Sequence, residues 1–432
     1  MEGQSDRSAR FESYLEKLSS AVRRKNRQAP LRAYCTGLLI PGDRKSMEPM
    51  AARLDPSRVQ AMHQSLQNFV SQAAWDDEAV LRAAREHAVP VMEAHGPIEA
   101  WLVDDTGYPK QGKHSVGVSR QYCGMLGKTM NCQAAVTLSV ANEWASLPVA
   151  HRLYLPEKWA SDAARREKVG VPVEVKFQTK WEISLDQLSR MKEAKVPGGT
   201  VLADAAYGDV LAFREGVTKL DRTYVVGIRK GTAAWGPGKG PVPPPGYSGR
   251  GRPSKRVRRD KSHQPESVLK LALALPLDAW REVSWREGTQ GQMSSRFARL
   301  RVRPAHGDER RTEPNPEEWL LVEWPESEPE PTKYWLSTLS ETVDLVTLVR
   351  LAMLRWRIEL DYEELKQEVG FAHFEGRGWR GFHHHAALSI AAYAFLVAER
   401  ARLSPPGVPG EPPFEAAPVP RGFRPRGSAH PA

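Results

Sequence analysis

The chain has 432 residues, beyond the length at which a single core usually stops growing, so two or three domains are expected. Hydrophobic residues make up 41%, aromatics 8% and charged residues 26%, which excludes wholesale disorder, and a net charge of +10 favours a polyanionic partner. No run of about 18 apolar residues exists to engage a membrane, and the opening segment MEGQSDRSARFESYLEKL is too polar for a secretory signal.

From Arg10 to about His95 the segments FESYLEKLSSAV, SRVQAMHQSLQNFV and DDEAVLRAAREHAVPVM carry apolar residues at three- and four-residue spacing, predicting a helical domain; residues 1–97 are separately expected, not from this spacing, to bind DNA. Asp55, Pro56 and Ser57 read as the start of the second helix. The three cysteines, Cys35, Cys123 and Cys132, are odd in number and lack the paired spacing of a zinc site. They read as reduced core thiols and imply a cytoplasmic setting.

At Ala100 the period changes. AWLVDD is a short apolar run ending in carboxylates, NCQAAVTLSVAN reads as a buried strand, and GGTVLADAAYGD repeats the order turn, apolar strand, acid, helix. With the strand RTYVVGIR these predict the first part of a mixed α/β core over 98–230. A Gly-, Pro-, Arg- and Lys-rich stretch then reads as a loop, and REVSWREG, RFARLRVRPA, EEWLLVEWP and TKYWLST alternate as antiparallel strands, giving an inserted β domain over 231–344. Helical periodicity resumes at Leu345, and AALSIAAYAFLVAERARL closes the core over 345–403. The Pro-rich basic tail, 404–432, reads as disordered.

Three acids fall at the ends of core elements: Asp104 after AWLV, Asp204 after VLA, and Glu359 inside LRWRIEL. Hard carboxylate oxygens from two strand ends and a helix suit two Mg²⁺ or Mn²⁺ ions, which would activate an attacking oxygen and stabilise a leaving one at a phosphodiester. Any one such acid could equally be a turn former or a helix N-cap. The three together are harder to explain that way.

Arg355, Glu359 and Lys366, with three residues between the first pair and six between the second, lie near one helical face together with Tyr362. This set resembles the catalytic triad and the tyrosine-arginine-glutamate-lysine signature of the DDE-superfamily transposases of bacterial insertion sequences, in their hairpin-forming branch. DDTGYPKQGKHSVGVSRQYCGMLGK, VLADAAYGD and RWRIELDYEELKQEVGFAHFEGRGWRGFHHHAAL extend the likeness from about Arg32 to Leu396. The resemblance implies an RNase H-like fold, catalytic metal ligands Asp104, Asp204 and Glu359, and phosphate contacts from Arg355 and Lys366. It also implies terminal inverted repeats and target DNA as partners, a homodimer in the synaptic complex, and a bacterial, nucleoid-associated setting. The family's tyrosine falls where this chain has Ala352, with Tyr362 as a partial substitute. Only one of Asp104 and Asp105 can face the metals directly. The family's Asp-x-Thr pattern selects Asp104, with Asp105 in a supporting position or as the alternative ligand.

Lys110, Lys113, His114, Arg120 and Lys128 cluster in a Gly-containing hairpin after the first acid and are expected to touch DNA; a merely solvated basic hairpin would look the same. The run from Arg250 to Lys261, which includes Arg252, Arg256, Arg258 and Arg259, is expected to bind phosphates without reading sequence. Three consecutive histidines, His383, His384 and His385, point in three directions from a helix and are expected to pack rather than bind metal. Trp285 and Trp319 are candidates for stacking on a base, as an aromatic of the insertion does in the related family. Two other functions fit the same residues: a hydrolytic RNase H-like nuclease, and a transposase-derived regulatory protein that binds DNA without cutting it.

Overall fold

Helical spacing in the first hundred residues becomes five helices: α1 (Glu2–Ala21), α2 (Lys25–Leu39), α3 (Met47–Leu54), α4 (Val59–Gln67) and α5 (Asp77–Glu93). The structure, a computed structural model, describes residues 2–244, 255–288 and 291–403. In α2, Leu31, Tyr34, Cys35 and Leu38 recur at three- and four-residue spacing and are buried. Asp76 caps α5, its Oδ1 accepting the Glu78 N–H at 3.0 Å. The helical segments read from the sequence do not include α2 or α3: Pro30 stands inside α2, and α3 is only 8 residues long.

The core sheet is built from β1 (Ala100–Pro109), β2 (Ser119–Cys123), β3 (Lys128–Ala141), β4 (Ser146–Leu153), β5 (Thr200–Ala203) and β6 (Tyr224–Ile228). Strand β1 pairs antiparallel with β3 and parallel with β5, and β5 pairs parallel with β6. On the outer edge of β3, β2 pairs with one half and β4 with the other. Between β4 and β5 lie α6 (Glu157–Ala160), α7 (Ala163–Lys168) and α8 (Lys180–Glu193), and between β5 and β6 lie α9 (Ala205–Gly208) and α10 (Leu211–Lys219). Three antiparallel strands followed by two parallel ones, with helical crossovers, form the expected RNase H-like core.

After β6 come β7 (Ala233–Trp235), β8 (Glu266–Ser267), α11 (Val268–Leu273), β9 (Arg281–Gly288), β10 (Gly291–Pro304), β11 (Glu318–Trp324) and β12 (Lys333–Ser337). The antiparallel strands expected of an insertion are present, but they do not make a separate sheet. Strand β12 pairs with β6, Leu336 opposite Val226, so the core sheet runs on through β12, β11 and β10. The chain finishes with α12 (Leu345–Leu354), α13 (Trp356–Gln367) and α14 (Trp379–Leu403). The single helix expected from Leu345 is two, divided at Arg355. The tail beyond 403 lies outside the described residues.

Helix α14 is apolar nearly all round and is buried on both sides, against α5 and against β4. The N-terminal helices therefore share a core with the chain's end: Arg10 pairs with Glu399 at 2.6 Å, and the Tyr14 hydroxyl donates to Ala391 O at 2.8 Å. The three histidines of α14 are buried and engage three different neighbours, as packing groups. His385 Nε2 donates to Gly370 O (3.1 Å), which leaves Nδ1 to accept the Tyr34 hydroxyl (2.8 Å) and makes the ring neutral. His384 instead faces two carbonyl oxygens, Val70 O and Trp75 O, while His383 accepts the Leu153 N–H.

Burial holds the His385 imidazole down to about 4, against an unfolded value near 6.5. The unfolded chain therefore binds the extra proton first as pH falls. The contribution of His385 is complete above about pH 6.5 and is lost on going down to about pH 4, on the order of 3 kcal/mol. Urea midpoints should fall steadily between pH 7 and 5 and fall less in His385→Gln; equal slopes in the two proteins would refute this.

Candidate active site

Side-chain alternation along β1 separates its two neighbouring acids. Ala100 and Leu102 pack with Leu348, Val349, Ala352 and Ile358 of α12 and α13, whereas Trp101 and Val103 pack on the opposite face. By the same period Asp104 faces α13 and Asp105 faces away. Their partners agree: Arg355 Nη1 donates to Asp104 Oδ2 at 2.9 Å, and Lys180 Nζ donates to Asp105 Oδ2 at 2.6 Å. The Tyr207 hydroxyl also approaches Asp105, at 3.5 Å.

Parallel pairing sets Val103 beside Ala203, so Asp104, in the middle of β1 and not at the strand end expected for it, lies next to Asp204, which follows the last residue of β5. Asp204 also caps α9, its Oδ1 accepting the Ala206 N–H at 2.9 Å. The ordinary N-cap role is thus present at this acid. Helix α9 sits directly on β6, and a Cβ at Gly208 would collide with the backbone oxygen of Gly227. That close approach fixes where Asp204 begins its helix.

Glu359 stands in the first turn of α13 with its side chain 63% exposed, and its Oε1 accepts Arg355 Nη2 at 2.8 Å. One guanidinium therefore bridges Asp104 and Glu359 across the break between α12 and α13. Burial pushes the Asp104 carboxyl up to about 7, with Asp204 and Asp105 adding to the rise and Arg355 opposing it. Arg355 is lowered by its own burial, yet Asp104, Glu359 and Asp204 outweigh this and raise it.

Among the described residues no three His, Cys, Asp or Glu side chains stand together as a ready metal group. Arg355 lies between Asp104 and Glu359 instead. The donor chemistry nevertheless suits a hard divalent cation, since every group offered is a carboxylate oxygen. The Asp104 carboxyl is raised chiefly by its burial, with Arg355 opposing the rise and the neighbouring Asp204 and Asp105 adding to it.

Lys366 Nζ donates to Thr106 Oγ1 at 2.7 Å and lies 5.6 Å from the Tyr362 ring, on the Asp104 face of β1. Tyr362 is buried beneath these groups, so it packs the site rather than presenting a hydroxyl to solvent. Ala352 is buried among Leu348, Val349 and Ile358, where the ring of a tyrosine would have no room without repacking. Lys110 is also partly buried and donates to Phe374 O at 2.8 Å. Lys113, His114, Arg120 and Lys128 are exposed on the hairpin.

In the basic segment, Arg256 and Arg258 are exposed, whereas Arg250 and Arg252 lie outside the described residues. Arg259 differs from its neighbours: it donates to the fully buried Asp308 at 2.7 Å and to Ala305 O at 2.6 Å, a structural pair. Trp319 lies against Arg299 and Arg301 and donates to Ser340 O, and Trp285 packs edge-on against Phe297. Sequence reasoning missed Lys180 and Arg286. Lys180 opens α8 directly after a capping box, Thr179 with Glu182, a signal that could have placed it at a helix start but not beside Asp105. Arg286 of β9 stacks on Trp356 at 3.9 Å, where burial lowers its pKa and Glu359 opposes the lowering, a pairing no local pattern announces.

With this geometry in view, the comparisons with known proteins are specific. The family described as DDE superfamily endonuclease matches residues 17–292, a stretch that contains Asp104 and Asp204 and ends before Glu359. A probable transposase for insertion sequence element IS701, from Microchaete diplosiphon, is 29% identical over 167 residues. The aligned stretch is 38% of this chain and 40% of that relative.

Proposed function

Because the chain belongs to the DDE superfamily of endonucleases, we propose that it is the transposase of an insertion sequence, cutting its element's terminal inverted repeats and joining them to target DNA. It would do so as a homodimer in the synaptic complex, in the bacterial cytoplasm at the nucleoid. Among the described residues no helix is long and apolar enough to cross a membrane. The observation that carries the reading is the guanidinium of Arg355, which bridges Asp104 and Glu359, with Asp204 following the strand next to Asp104.

Endonucleases of this superfamily use divalent metal ions, and here Asp104, Asp204 and Glu359 are the residues to hold two of them, Mg²⁺ or Mn²⁺. Bound there, such ions lower the pKa of an attacking water or 3′-hydroxyl and stabilise the leaving oxygen. The chain's own cations do the positioning. Arg355, once its carboxylates have other partners, can offer its planar fork to a phosphate, and Lys366 supplies a second charge from the same face of α13. Asp105 and Lys180 brace β1 from behind.

Incubating the protein and Mg²⁺ with a plasmid that carries the element's two ends tests the reading. Excised ends joined to new DNA support it. Cuts without joined products would make it a hydrolytic nuclease, and binding without cuts a regulator.

Arg256 and Arg258 supply delocalised affinity in this scheme. Neutralising both should weaken binding to end and random duplexes alike, and flatten the slope of log K against log salt by roughly 0.9 per lost phosphate contact. A loss confined to the end duplex would mean that this segment reads bases. Arg259→Ala belongs to a different class, because it strands the buried Asp308 and should lower thermal stability.

A further inference from the structure

Where β1 ends, three segments meet round an open recess of about 220 Å³. The loop between α2 and α3 supplies Arg44 and Ser46, the residue after β1 supplies Lys110, and the connection between α13 and α14 supplies His373 and Glu375. A glycine lets them meet. Gly370 has a φ of +64°, and a Cβ there would fall 2.2 Å from that of Lys45. The recess holds several times the roughly 30 Å³ of a water molecule, room enough for a tetrahedral oxyanion.

Its polar groups are mostly donors. Ser46 is 6% exposed and stands at the N-cap of α3, yet its hydroxyl makes no cap bond. His373 Nδ1 accepts the Lys45 N–H at 3.0 Å, so the neutral ring carries its proton on Nε2. The Lys110 ammonium is fixed in the wall by Phe374 O at 2.8 Å. Among the described residues that line the recess, Glu375 is the one acid, and its exposed carboxylate accepts Arg44 Nη2 at 2.9 Å.

Cations outnumber that acid. Lys45 is buried directly behind the recess, and Arg53 donates to Arg44 O at 2.8 Å. After burial, the charges of Arg44 and Lys45 hold the His373 imidazole below its ordinary value, with Glu375 opposing them. The walls lead outward to further charge: Lys113, His114 and Arg377 are exposed, and the Val116 N–H ties their two segments together by donating to Arg377 O at 2.9 Å. A row of cations leaving a recess suits a chain of phosphates better than a single small anion.

We propose that this recess binds a phosphate oxyanion of the DNA backbone, through Arg44, the His373 Nε2–H and the Ser46 hydroxyl, with Lys110 lending charge from the wall. Glu375 occupies the guanidinium until the phosphate displaces it. The proposal rests on the DNA-processing reading above, and it joins the N-terminal helices to the strand of Asp104 through one ligand.

The test uses the full chain without divalent metal, in two arms: binding of a fluorescein-labelled duplex, and thermal melting in inorganic phosphate against chloride at equal ionic strength. Arg44→Gln should weaken duplex binding on the order of fivefold and make the slope of log K against log salt shallower by roughly 0.9, one phosphate contact. Glu375→Gln should tighten duplex binding by a similar factor, because the competing carboxylate is gone. Were Arg44 and Glu375 serving only each other, both variants would lower stability and neither would move binding. Lys192→Gln and Asp221→Asn break an exposed pair outside the recess, change the net charge equally, and should leave duplex binding unchanged.

The melting arm identifies the source of the anion. Phosphate that raises the melting temperature of wild type and not of Arg44→Gln, with duplex binding equal in the two, keeps the oxyanion site and gives it free phosphate in place of DNA. The proposal is overturned if neither arm separates Arg44→Gln from wild type, or if the control pair moves duplex binding as much as Arg44 and Glu375 do. A wild type that binds no duplex sinks the DNA-processing reading, an outcome distinct from the others because the melting arm still reports on the recess.

Discussion

Asp104→Asn and Asp204→Asn should each lower cleavage of the element ends by roughly a thousandfold or more, about 4 kcal/mol of barrier, while leaving affinity for the same duplex nearly unchanged. Asparagine keeps the size and one oxygen of each side chain and removes the charge that a divalent ion needs. Asp204→Asn also keeps an acceptor for the Ala206 N–H, so the cap of α9 survives and loss of folding is not the cause. Asp105→Asn is the internal comparison. Its carboxylate faces Lys180 rather than Arg355, so it should lose part of the support of β1 and retain measurable cleavage. If Asp105→Asn were dead and Asp104→Asn active, the ligand would lie on the opposite face of β1 and the proposed site would be wrong by one residue.

That comparison shows where sequence reading stopped. AWLVDD announced a strand ending in acid, but both readings of the acids remained open until the packing of Leu102 and Trp101 showed which face meets α13. The core strands were legible as apolar runs bounded by turn signals, whereas their order and their parallel or antiparallel pairing emerged only in the structure. The pairing of β12 with β6 was not legible, since register between distant strands depends on which apolar faces meet rather than on either sequence alone. The break at Arg355 was hidden for a related reason. LVRLAMLRWRIELDY has an unbroken helical period, and only the bonds of one guanidinium to two carboxylates mark the joint.

Basic residues were the least legible class. Arg256, Arg258 and Arg259 look alike in sequence, yet Arg259 is drawn inward by Asp308, a carboxylate about fifty positions away that is buried and would otherwise lack a counter-ion. Lys110, named with the hairpin cations, spends its ammonium on Phe374 O. Composition predicted the sign of the surface but not which charges remain free to serve it.

Arg355→Ala should reduce cleavage by about a hundredfold or more and yet bind Mn²⁺ at least as tightly as the unaltered chain. The guanidinium lies 2.9 Å from Asp104 and 2.8 Å from Glu359, so it occupies the coordination directions that a metal ion would use. A divalent ion held as proposed would have to displace it, and removing it would remove that competition. What the variant would lose is the planar donor proposed to hold the phosphate, and loss of one such preorganised group is worth about two to three orders of magnitude in rate. Arg355→Lys should lie between the two, because an ammonium cannot span both carboxylates or grip a phosphate through two parallel bonds. Calorimetric titration with Mn²⁺ separates the roles: weakened Mn²⁺ binding in Arg355→Ala would show that the arginine builds the metal site, and the division of labour between acids and arginine argued from these contacts would have to be abandoned.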